Sequence, residues 1–368
     1  MSRVVISGGG TGGHVFPAIA IADALIAESS LTEILFVGAI GKIEMEKVPK
    51  AGYDIVGLNI AGFQRRLTLK NLLFPFKLLG SMIRAFMIVR KFRPDVAVGV
   101  GGYASGPVLK VANFLGIPTV LQEQNSYAGV TNRMLSSKAA KVCVAYDGLE
   151  RFFPADKIVF TGNPVRKDIL DKKIDQREAL LSLNLEPNNK TVLIFGGSLG
   201  ARTINDAVLA NASIIHSMSD VNIIWQVGKM YFEEFKNCSL ATSKNIRILA
   251  FIEDMDIAYS AADIVICRAG ALTISELAIL GKAAILIPSP NVAEDHQTVN
   301  AMSLVNRGAA ILVKDVDAKG KLVSVMQDLL HDQNKRNGLK EHIKYFARPE
   351  AAKKIAAEIL KICKSSQR

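Results

Sequence analysis

The 368-residue chain has 49% hydrophobic and 21% charged residues, with 28 Gly and 12 Pro, which excludes disordered, collagen-like and coiled-coil proteins. Its length exceeds the roughly 250–300 residues that one hydrophobic core usually serves, so two domains are expected. The excess of 45 Lys and Arg over 34 Asp and Glu gives a net charge of +11. This charge predicts an anionic partner, such as nucleic acid, an acidic membrane or a phosphorylated ligand.

The four cysteines, at positions 143, 238, 267 and 363, show neither the spacing of a zinc site nor the density of a disulfide-rich domain. The residues before the first glycine cluster are too few for a signal-peptide core, and no apolar run reaches the roughly 18 residues of a spanning helix. We therefore expect a reduced, cytoplasmic protein with no metal site, whose contact with any membrane is peripheral.

Short β-branched runs that enter glycine-rich turns alternate with helical patterns through the first 162 residues. Examples are Val4 to Ile6 before GGGTGGH and Val96 to Val100 before GGYASGP. This alternation predicts βαβ units and a parallel sheet. A break at Gly162-Asn163-Pro164 predicts a domain boundary.

The same arrangement begins again after a polar stretch at residues 167–190, where Thr191 to Phe195 precedes GGSLGAR. The repeat predicts a second doubly wound domain, and residues 340–364 predict a basic helical tail. We therefore expect an α/β protein of two Rossmann-like domains, each with a parallel sheet, that face each other across a cleft.

The first glycine loop has the spacing G-x-G-x-x-G at Gly8, Gly10 and Gly13, which is typical of a dinucleotide site. The acid that such a site places at the end of the second strand is missing, and the first acid after that strand is Glu44. His14 follows the loop at the start of a helix. It is suited to accept a proton from a bound hydroxyl, or else to hydrogen-bond the loop backbone as a structural histidine.

Two further loops in the first half are candidate contacts for a sugar or a phosphate. Gly99 to Pro107 is rich in glycine, and Gln122 to Asn125 places four polar side chains after a strand. A plain tight turn and a solvated loop are the competing interpretations.

In the second half, residues 196–202 offer backbone donors and the Ser198 hydroxyl at a helix start. Thr273 and Glu276 have the T-x-x-E spacing of a capping box, so Glu276 is expected either to cap the helix or to accept both hydroxyls of a ribose. The D-x-D triplets at 254–256 and 315–317 are assigned to helix capping and surface charge rather than to a metal.

Residues 63–93 contain eight Lys or Arg, no acid and many large apolar side chains. This composition suits a surface that binds anionic lipid, and equally a core helix with a basic outer face. No helix-turn-helix or RNA-binding signature accompanies the charge, so nucleic acid is not expected.

Seven segments taken together resemble glycosyltransferase family 28, and within it the N-acetylglucosaminyltransferases that convert lipid I to lipid II. They match in order and spacing nearly from end to end, and they are ISGGGTGGHVFPAIAIADAL, GVGGYASGPVLKVA, EQNSYAGVTNR, TGNPVR, FGGSLGAR, CRAGALTISEL and EDHQTVNA. The resemblance implies a GT-B fold with an acceptor and membrane-facing domain at 1–162, completed by a C-terminal helix at about 340–368. It also implies a UDP-GlcNAc donor domain at 163–339.

The resemblance further implies which residues bind UDP-GlcNAc. They are Thr11, Gly12, Gly13, Asn125, Arg166, Ser198, Ile252, Ala271, Leu272, Thr273, Ile274, Ser275, Glu276 and Gln297. Glu276 is expected to hold the ribose, the Ile252 backbone the uracil edge, and Ser198 with Arg166 the diphosphate. The chain has His296 where the family often has a glutamine.

The implied reaction is inverting transfer of GlcNAc from UDP-GlcNAc to the C4 hydroxyl of the lipid-linked MurNAc-pentapeptide. It takes place at the cytoplasmic face of the bacterial inner membrane, in cell-wall synthesis and cell division. His14 is the candidate base, and no cofactor is expected. The alternatives are an enzyme similar to UDP-GlcNAc 2-epimerases and a non-catalytic basic protein that binds the membrane.

Overall fold

The structure is a computed structural model that describes residues 2–60, 74–171 and 174–366. The chain forms two compact units, of which the first comprises residues 1–166 with 348–368 and the second comprises residues 167–347. The domain boundaries expected from the sequence lie after residues 162 and 339. The observed boundaries follow shortly afterwards, after residues 166 and 347.

The strands of the first unit are short, largely buried apolar runs. They are β1 Arg3–Ser7, β2 Glu33–Ala39, β3 Asp54–Leu58, β4 Val96–Gly99, β5 Thr119–Glu123, β6 Lys141–Val144 and β7 Ile158–Phe160. They pair in parallel in the order β3-β2-β1-β4-β5-β6-β7. Ser7, which ends β1, lies opposite Val37 and Gly99, so the loops that follow these strands begin at one edge of the sheet.

Helices cover both faces of this sheet, as a parallel sheet requires. They are α1 Gly12–Glu28, α2 Glu44–Lys50, α3 Phe74–Phe92, α4 Ser105–Phe114, α5 Val130–Ser136 and, from the end of the chain, α16 Ala351–Ser366. Ile355 and Ile359 of α16 pack with Ile21 and Leu25 of α1 in one buried cluster. The C-terminal helix therefore completes the core of the first unit.

The second unit repeats the architecture with β8 Lys190–Phe195, β9 Val221–Gln226, β10 Ile246–Leu249, β11 Ile264–Cys267, β12 Ala283–Leu286 and β13 Ile311–Leu312. These strands are parallel in the order β10-β9-β8-β11-β12-β13. Trp225 is fully buried in the core, and its indole N–H donates to Asn205 Oδ1 at 3.1 Å. The buried polar group therefore has the partner that its burial requires.

The helices of the second unit follow the same alternation with the strands. They are α6 Lys167–Asp171, α7 Gln176–Ser182, α8 Arg202–Ala210, α9 Ala212–Ser217, α10 Phe232–Phe235, α11 Met255–Ala261, α12 Ala271–Leu280, α13 His296–Val305, α14 Ala318–His331 and α15 Gln333–Lys344.

The single helical tail expected over residues 340–364 is wrong. The structure has two helices there, and Pro349 lies between them, where its missing N–H and ring interrupt a continuous helix. The first, α15, packs on α12 and β12 of the second unit, whereas α16 belongs to the first unit. The chain thus returns to its first unit at this proline.

The basic segment at 63–93 is described from residue 74 onward, so Arg65 and Arg66 lie outside the described residues. In α3, Ala85 and Val89 are buried, whereas Leu79, Ile83 and Met87 are exposed. A core helix with a basic outer face does not account for these exposed apolar side chains. Among the described helices, none is both long and apolar enough to cross a bilayer.

Candidate active site

The first glycine-rich loop joins β1 to α1 and carries three of the predicted contacts. Thr11 is the N-cap residue of α1 in an extended conformation, and Gly12 and Gly13 form the first turn. Gly10 has φ 89°, a left-handed backbone conformation that glycine adopts without a steric penalty. The loop thus presents a helix N-terminus at the carboxyl edge of the sheet, where parallel α/β sheets bind ligands.

His14 contacts the backbone of this loop. Its Nδ1 lies 3.1 Å from the Gly9 carbonyl oxygen and 3.4 Å from Thr11 Oγ1. Because a carbonyl oxygen can only accept, Nδ1 carries the proton in this contact, and the lone pair of neutral imidazole is on Nε2. A Cβ added to Gly101 would lie 2.9 Å from His14 Cδ2, so the ring packs against the second glycine-rich loop. The base and the structural interpretation of His14 both fit this geometry.

Glu44 decides against the dinucleotide interpretation of this loop. Its carboxylate is 1% exposed and accepts the Gly10 N–H at 2.8 Å and the Ala39 N–H at 2.9 Å. A pyrophosphate at Gly10 would meet a buried negative charge and would find the N–H already bonded. Along the sequence Glu44 is only the first acid after β2, and no local pattern points to this contact.

The polar residues 122–125 are not a solvated loop, because Gln122 and Glu123 end β5 and are buried together with Gln124. The Glu123 carboxylate accepts from the Asn125 N–H at 3.1 Å, the Gly129 N–H at 3.0 Å and Asn132 Nδ2 at 2.9 Å. These three hydrogen bonds to one carboxylate fix the loop and hold Asn125, a predicted contact, at the edge of the sheet. They also make Glu123 an anchor of this loop.

Arg166 is the last residue of the 1–166 segment of the first unit. Its side chain lies beside α1, the helix that follows the first glycine-rich loop. Its guanidinium carbon is 4.9 Å from the centre of the Phe16 ring of α1, a cation–π contact. The structure thus places Arg166 with the residues of the first unit.

In the second unit, Gln226 forms hydrogen bonds to the Ile252 backbone and to the loop that carries Ser198, two predicted contacts that are far apart in sequence. Its Nε2 donates to the Gly197 carbonyl at 2.7 Å, and its Oε1 accepts the Ile252 N–H at 3.2 Å. Gly197 belongs to the loop that carries Ser198, whose side chain is exposed. Sequence reasoning missed Gln226, which holds this loop and the Ile252 backbone together.

Glu276 does not form the capping box that its spacing allowed. The N-cap of α12 is Gly270, and Thr273 lies inside the helix. Glu276 is 5% exposed, and its Oε2 accepts the Tyr259 hydroxyl at 2.9 Å. Burial and the charge of Glu276 raise the pKa of the neighbouring Cys267 thiol, which keeps that thiol protonated.

The other predicted contacts of the second unit lie in the first turns of helices α12 and α13. Residues 271–275 form the first turns of α12, and Ser275 Oγ donates to the Ala271 carbonyl at 3.0 Å. Gln297, in the first turn of α13, accepts the Ser289 N–H at 2.8 Å and so holds the loop that follows β12.

The assignment of the two D-x-D triplets to helix capping is wrong, because Asp254 and Asp317 are the N-cap residues of α11 and α14 but neither side chain accepts a capping hydrogen bond. Asp315 forms an ion pair with Arg268 and also accepts the Thr203 hydroxyl at 3.1 Å. Asp317 has an exposed pair with Lys321 at 3.3 Å. Within the described part of the chain, no group of three or more His, Cys, Asp or Glu side chains is placed to hold a metal ion.

Comparison with known proteins assigns the family. Residues 4–144 match the glycosyltransferase family 28 N-terminal domain, and residues 191–358 match the family 28 C-terminal domain. The chain belongs to glycosyltransferase family 28. This confirms the family expected from the sequence motifs, and with it a transferase with two parallel-sheet α/β domains of the GT-B type.

Relatives of this family 28 chain match it over almost its whole length. One from Flavobacterium psychrophilum is 54% identical over 365 residues and 99% of both chains. It is named UDP-N-acetylglucosamine--N-acetylmuramyl-(pentapeptide) pyrophosphoryl-undecaprenol N-acetylglucosamine transferase. One of the same name from Bacteroides fragilis is 52% identical over 99% of this chain and 96% of its own.

Solved structures agree with the fold of this glycosyltransferase. MurG of Acinetobacter baumannii is 30% identical with a TM-score of 0.75, over 98% of this chain and 100% of its own. A putative UDP-N-acetylglucosamine 2-epimerase of Listeria monocytogenes has a TM-score of 0.73 at 13% identity, over 98% of this chain and 96% of its own. At that identity the second likeness shows a shared fold alone.

The triplet at 315–317 gives a test that separates an ion pair from a metal site. Asp315→Asn leaves Arg268 largely buried without its counter-charge, so we expect a loss of about 3 kcal/mol in the free energy of unfolding, measured by urea denaturation. Asp317→Asn is the matched control and should change it by less than about 1 kcal/mol. Stabilisation of the protein by Mg²⁺ that disappears in both variants would contradict this assignment.

Proposed function

We propose that the protein transfers GlcNAc from UDP-GlcNAc to the C4 hydroxyl of undecaprenyl-diphospho-MurNAc-pentapeptide, lipid I, and so forms lipid II for peptidoglycan. The observation that carries this proposal is the sequence identity of 54% and 52%, over 99% of this chain, to enzymes named for the same transfer. Polar side chains at the carboxyl ends of the strands in each unit support it, because a sugar nucleotide and a glycan hydroxyl need such groups.

The second unit supplies most of the donor site in this proposal. Glu276, a buried carboxylate, accepts the ribose hydroxyls, and the helix start at 271–275 and Ser198 lie at the diphosphate. Gln226 occupies the Ile252 N–H, so binding of the uracil edge there requires the Gln226 amide to turn away. Thr11 to Gly13, Asn125, Arg166 and Gln297 complete the proposed contacts.

The chemical step is an inverting displacement. The C4 hydroxyl oxygen of MurNAc forms a bond to the GlcNAc anomeric carbon as the bond from that carbon to the UDP oxygen breaks. His14 Nε2 takes the hydroxyl proton, and the leaving UDP carries the electron pair of the broken bond. Backbone N–H groups at the helix starts stabilise the charge that develops on the diphosphate.

A turnover assay tests the proposed function against its two alternatives. UDP release from UDP-GlcNAc should require lipid I or a soluble analogue that carries the MurNAc C4 hydroxyl. An epimerase would convert the sugar nucleotide without an acceptor, and a binding protein would release no UDP in either case. Acceptor-independent conversion, or no release at all, contradicts the proposal.

The membrane contact in this proposal lies on the first unit. Phe114 is 82% exposed and Met134 is 71% exposed, and with Ile83 they line an apolar groove of about 680 Å³. Lys110 and Lys138 also line it. Apolar side chains flanked by lysines suit the boundary of an anionic bilayer, and we assign the protein to the cytoplasmic face of the inner membrane as a peripheral enzyme.

The groove predicts a specific loss of vesicle binding. Ile83→Ser with Phe114→Ser should weaken binding to phosphatidylglycerol vesicles about 100-fold or more in a sedimentation assay, since burial of each side chain contributes roughly 1.5–3 kcal/mol and about 1.4 kcal/mol is a factor of ten. Leu31→Ser, at an equally exposed leucine of the first unit, is the control and should bind as the unmodified protein does. Equal binding by all variants would refute this surface.

Glu276→Gln separates ribose binding from a structural role. We expect UDP affinity, measured by calorimetry, to fall by about 1.5–3 kcal/mol because a charge-assisted hydrogen bond is lost. Tyr259→Phe removes the internal hydrogen bond to the same carboxylate and should lower the melting temperature but retain UDP. If Glu276→Gln melts early and binds UDP normally, Glu276 is structural.

His14→Ala tests the candidate base. We expect kcat to fall about 10²–10⁴-fold with little change in UDP affinity, since most of the proposed donor contacts are elsewhere. The acidic limb of the kcat/KM profile should disappear in this variant. His216→Ala, at an exposed histidine paired with Ser243, is the control. A raised acceptor KM with kcat within a few fold would make His14 a binding residue.

A further inference from the structure

Glu44 occupies a position in the first unit that two glycines leave open for it. A Cβ added to Gly9 would overlap the Glu44 carboxyl group, and one added to Gly38 would lie 2.5 Å from Glu44 Cγ. The carboxylate is bonded to backbone N–H groups of the loop after β1 and of β2's last residue, Ala39. Three separate parts of the chain therefore meet at one buried negative charge.

The contacts of Glu44 and His14 fall on the same peptide group. The Gly10 N–H that donates to Glu44 and the Gly9 carbonyl that accepts from His14 Nδ1 belong to the single peptide bond between Gly9 and Gly10. That group is planar and rigid, so fixing its N–H also fixes the direction of its carbonyl. A negative charge at the N–H polarises the peptide and makes the carbonyl a stronger acceptor.

We propose that Glu44 is a positioning residue that acts on His14 through the Gly9–Gly10 peptide. The carboxylate holds the peptide, the peptide carbonyl holds the proton on Nδ1, and the lone pair is thereby kept on Nε2. A carboxylate that orients a catalytic histidine usually bonds to it directly, whereas here one peptide group stands between them. The catalytic value of this arrangement rests on the proposed role of His14 as base; the arrangement itself does not.

The second glycine loop closes the other side of the same peptide. A Cβ on Gly102, which has φ 84°, would overlap the Gly9 carbonyl oxygen, and the neighbouring Gly8–Gly9 peptide is held by its Gly9 N–H, which donates to the Gly101 carbonyl at 3.3 Å. The Gly9–Gly10 peptide is thus confined by Glu44, His14 and this loop. Loss of Glu44 removes the one charged member of that set.

The direct test measures the tautomer of His14 in the full-length protein. Histidine-selective ¹⁵N NMR resolves Nδ1–H from Nε2–H, and among five histidines the His14 signal is the one that His14→Ala removes. We expect the Nδ1–H tautomer at pH 8.5. Glu44→Gln should shift His14 towards a mixture of tautomers, because the two N–H groups bond to different carboxylate oxygens and a Gln amide has only one acceptor oxygen in their place.

Glu46→Gln is the matched control, since Glu46 lies on the same helix, is exposed and pairs with Lys50 at 2.9 Å. It should leave the His14 signal unchanged. Glu44→Asp keeps the charge and should retain more of the Nδ1–H form than Glu44→Gln does. It also provides a second variant to measure if Glu44→Gln does not fold. An unchanged His14 tautomer in a folded Glu44 variant overturns the proposal.

Kinetics separate this proposal from the base assignment. Glu44→Gln should lower kcat about 10–100-fold and leave the KM for UDP-GlcNAc within twofold, by analogy with groups that orient a ligand from behind. The double variant Glu44→Gln with His14→Ala should lose no more kcat than His14→Ala alone, because both changes act on one group. Full activity of His14→Ala would refute the base, while the NMR result would still decide the role of Glu44. Additive losses in the double variant would contradict the link to His14.

Discussion

Parallel strand pairing is the constraint on which the rest of both units depends. Because every described strand of each sheet runs in the same direction, the loops after the strands emerge at one edge of the sheet. In the first unit this edge collects the loops after β1, β4 and β5, and in the second the loops after β8, β11 and β12. Apolar strands buried on both faces leave this edge as the place for polar chemistry.

Loops at such an edge contain buried backbone N–H groups, and each of these needs an acceptor. The structure supplies side-chain oxygens from Glu44, Glu123, Gln226 and Gln297, which together accept from six backbone N–H groups. These contacts hold the loops in place before any ligand binds. With the loops fixed in this way, their remaining donors are already oriented, as a transferase needs in order to stabilise a leaving diphosphate without a cost of reorganisation.

Features that depend on local sequence could be predicted. The strands and the two glycine loops each follow from a pattern within about ten residues. Contacts across the chain could not: Glu44 bonds to Gly10 over 34 positions, Ile252 to Gln226 over 26, and Tyr259 to Glu276 over 17. The T-x-x-E spacing allowed a capping box at Thr273, but α12 begins after Gly270, so Thr273 lies inside the helix.

Binding of the sugar nucleotide by the second unit is the step on which the proposed transfer depends. Hydrogen exchange of the full-length protein with and without UDP, followed by mass spectrometry, locates the bound nucleotide without any variant. We predict slower exchange at residues 196–202 and 268–276 and around Ile252, with no change in β3 or in helix α4. Slower exchange confined to the first unit would contradict a donor site in the second.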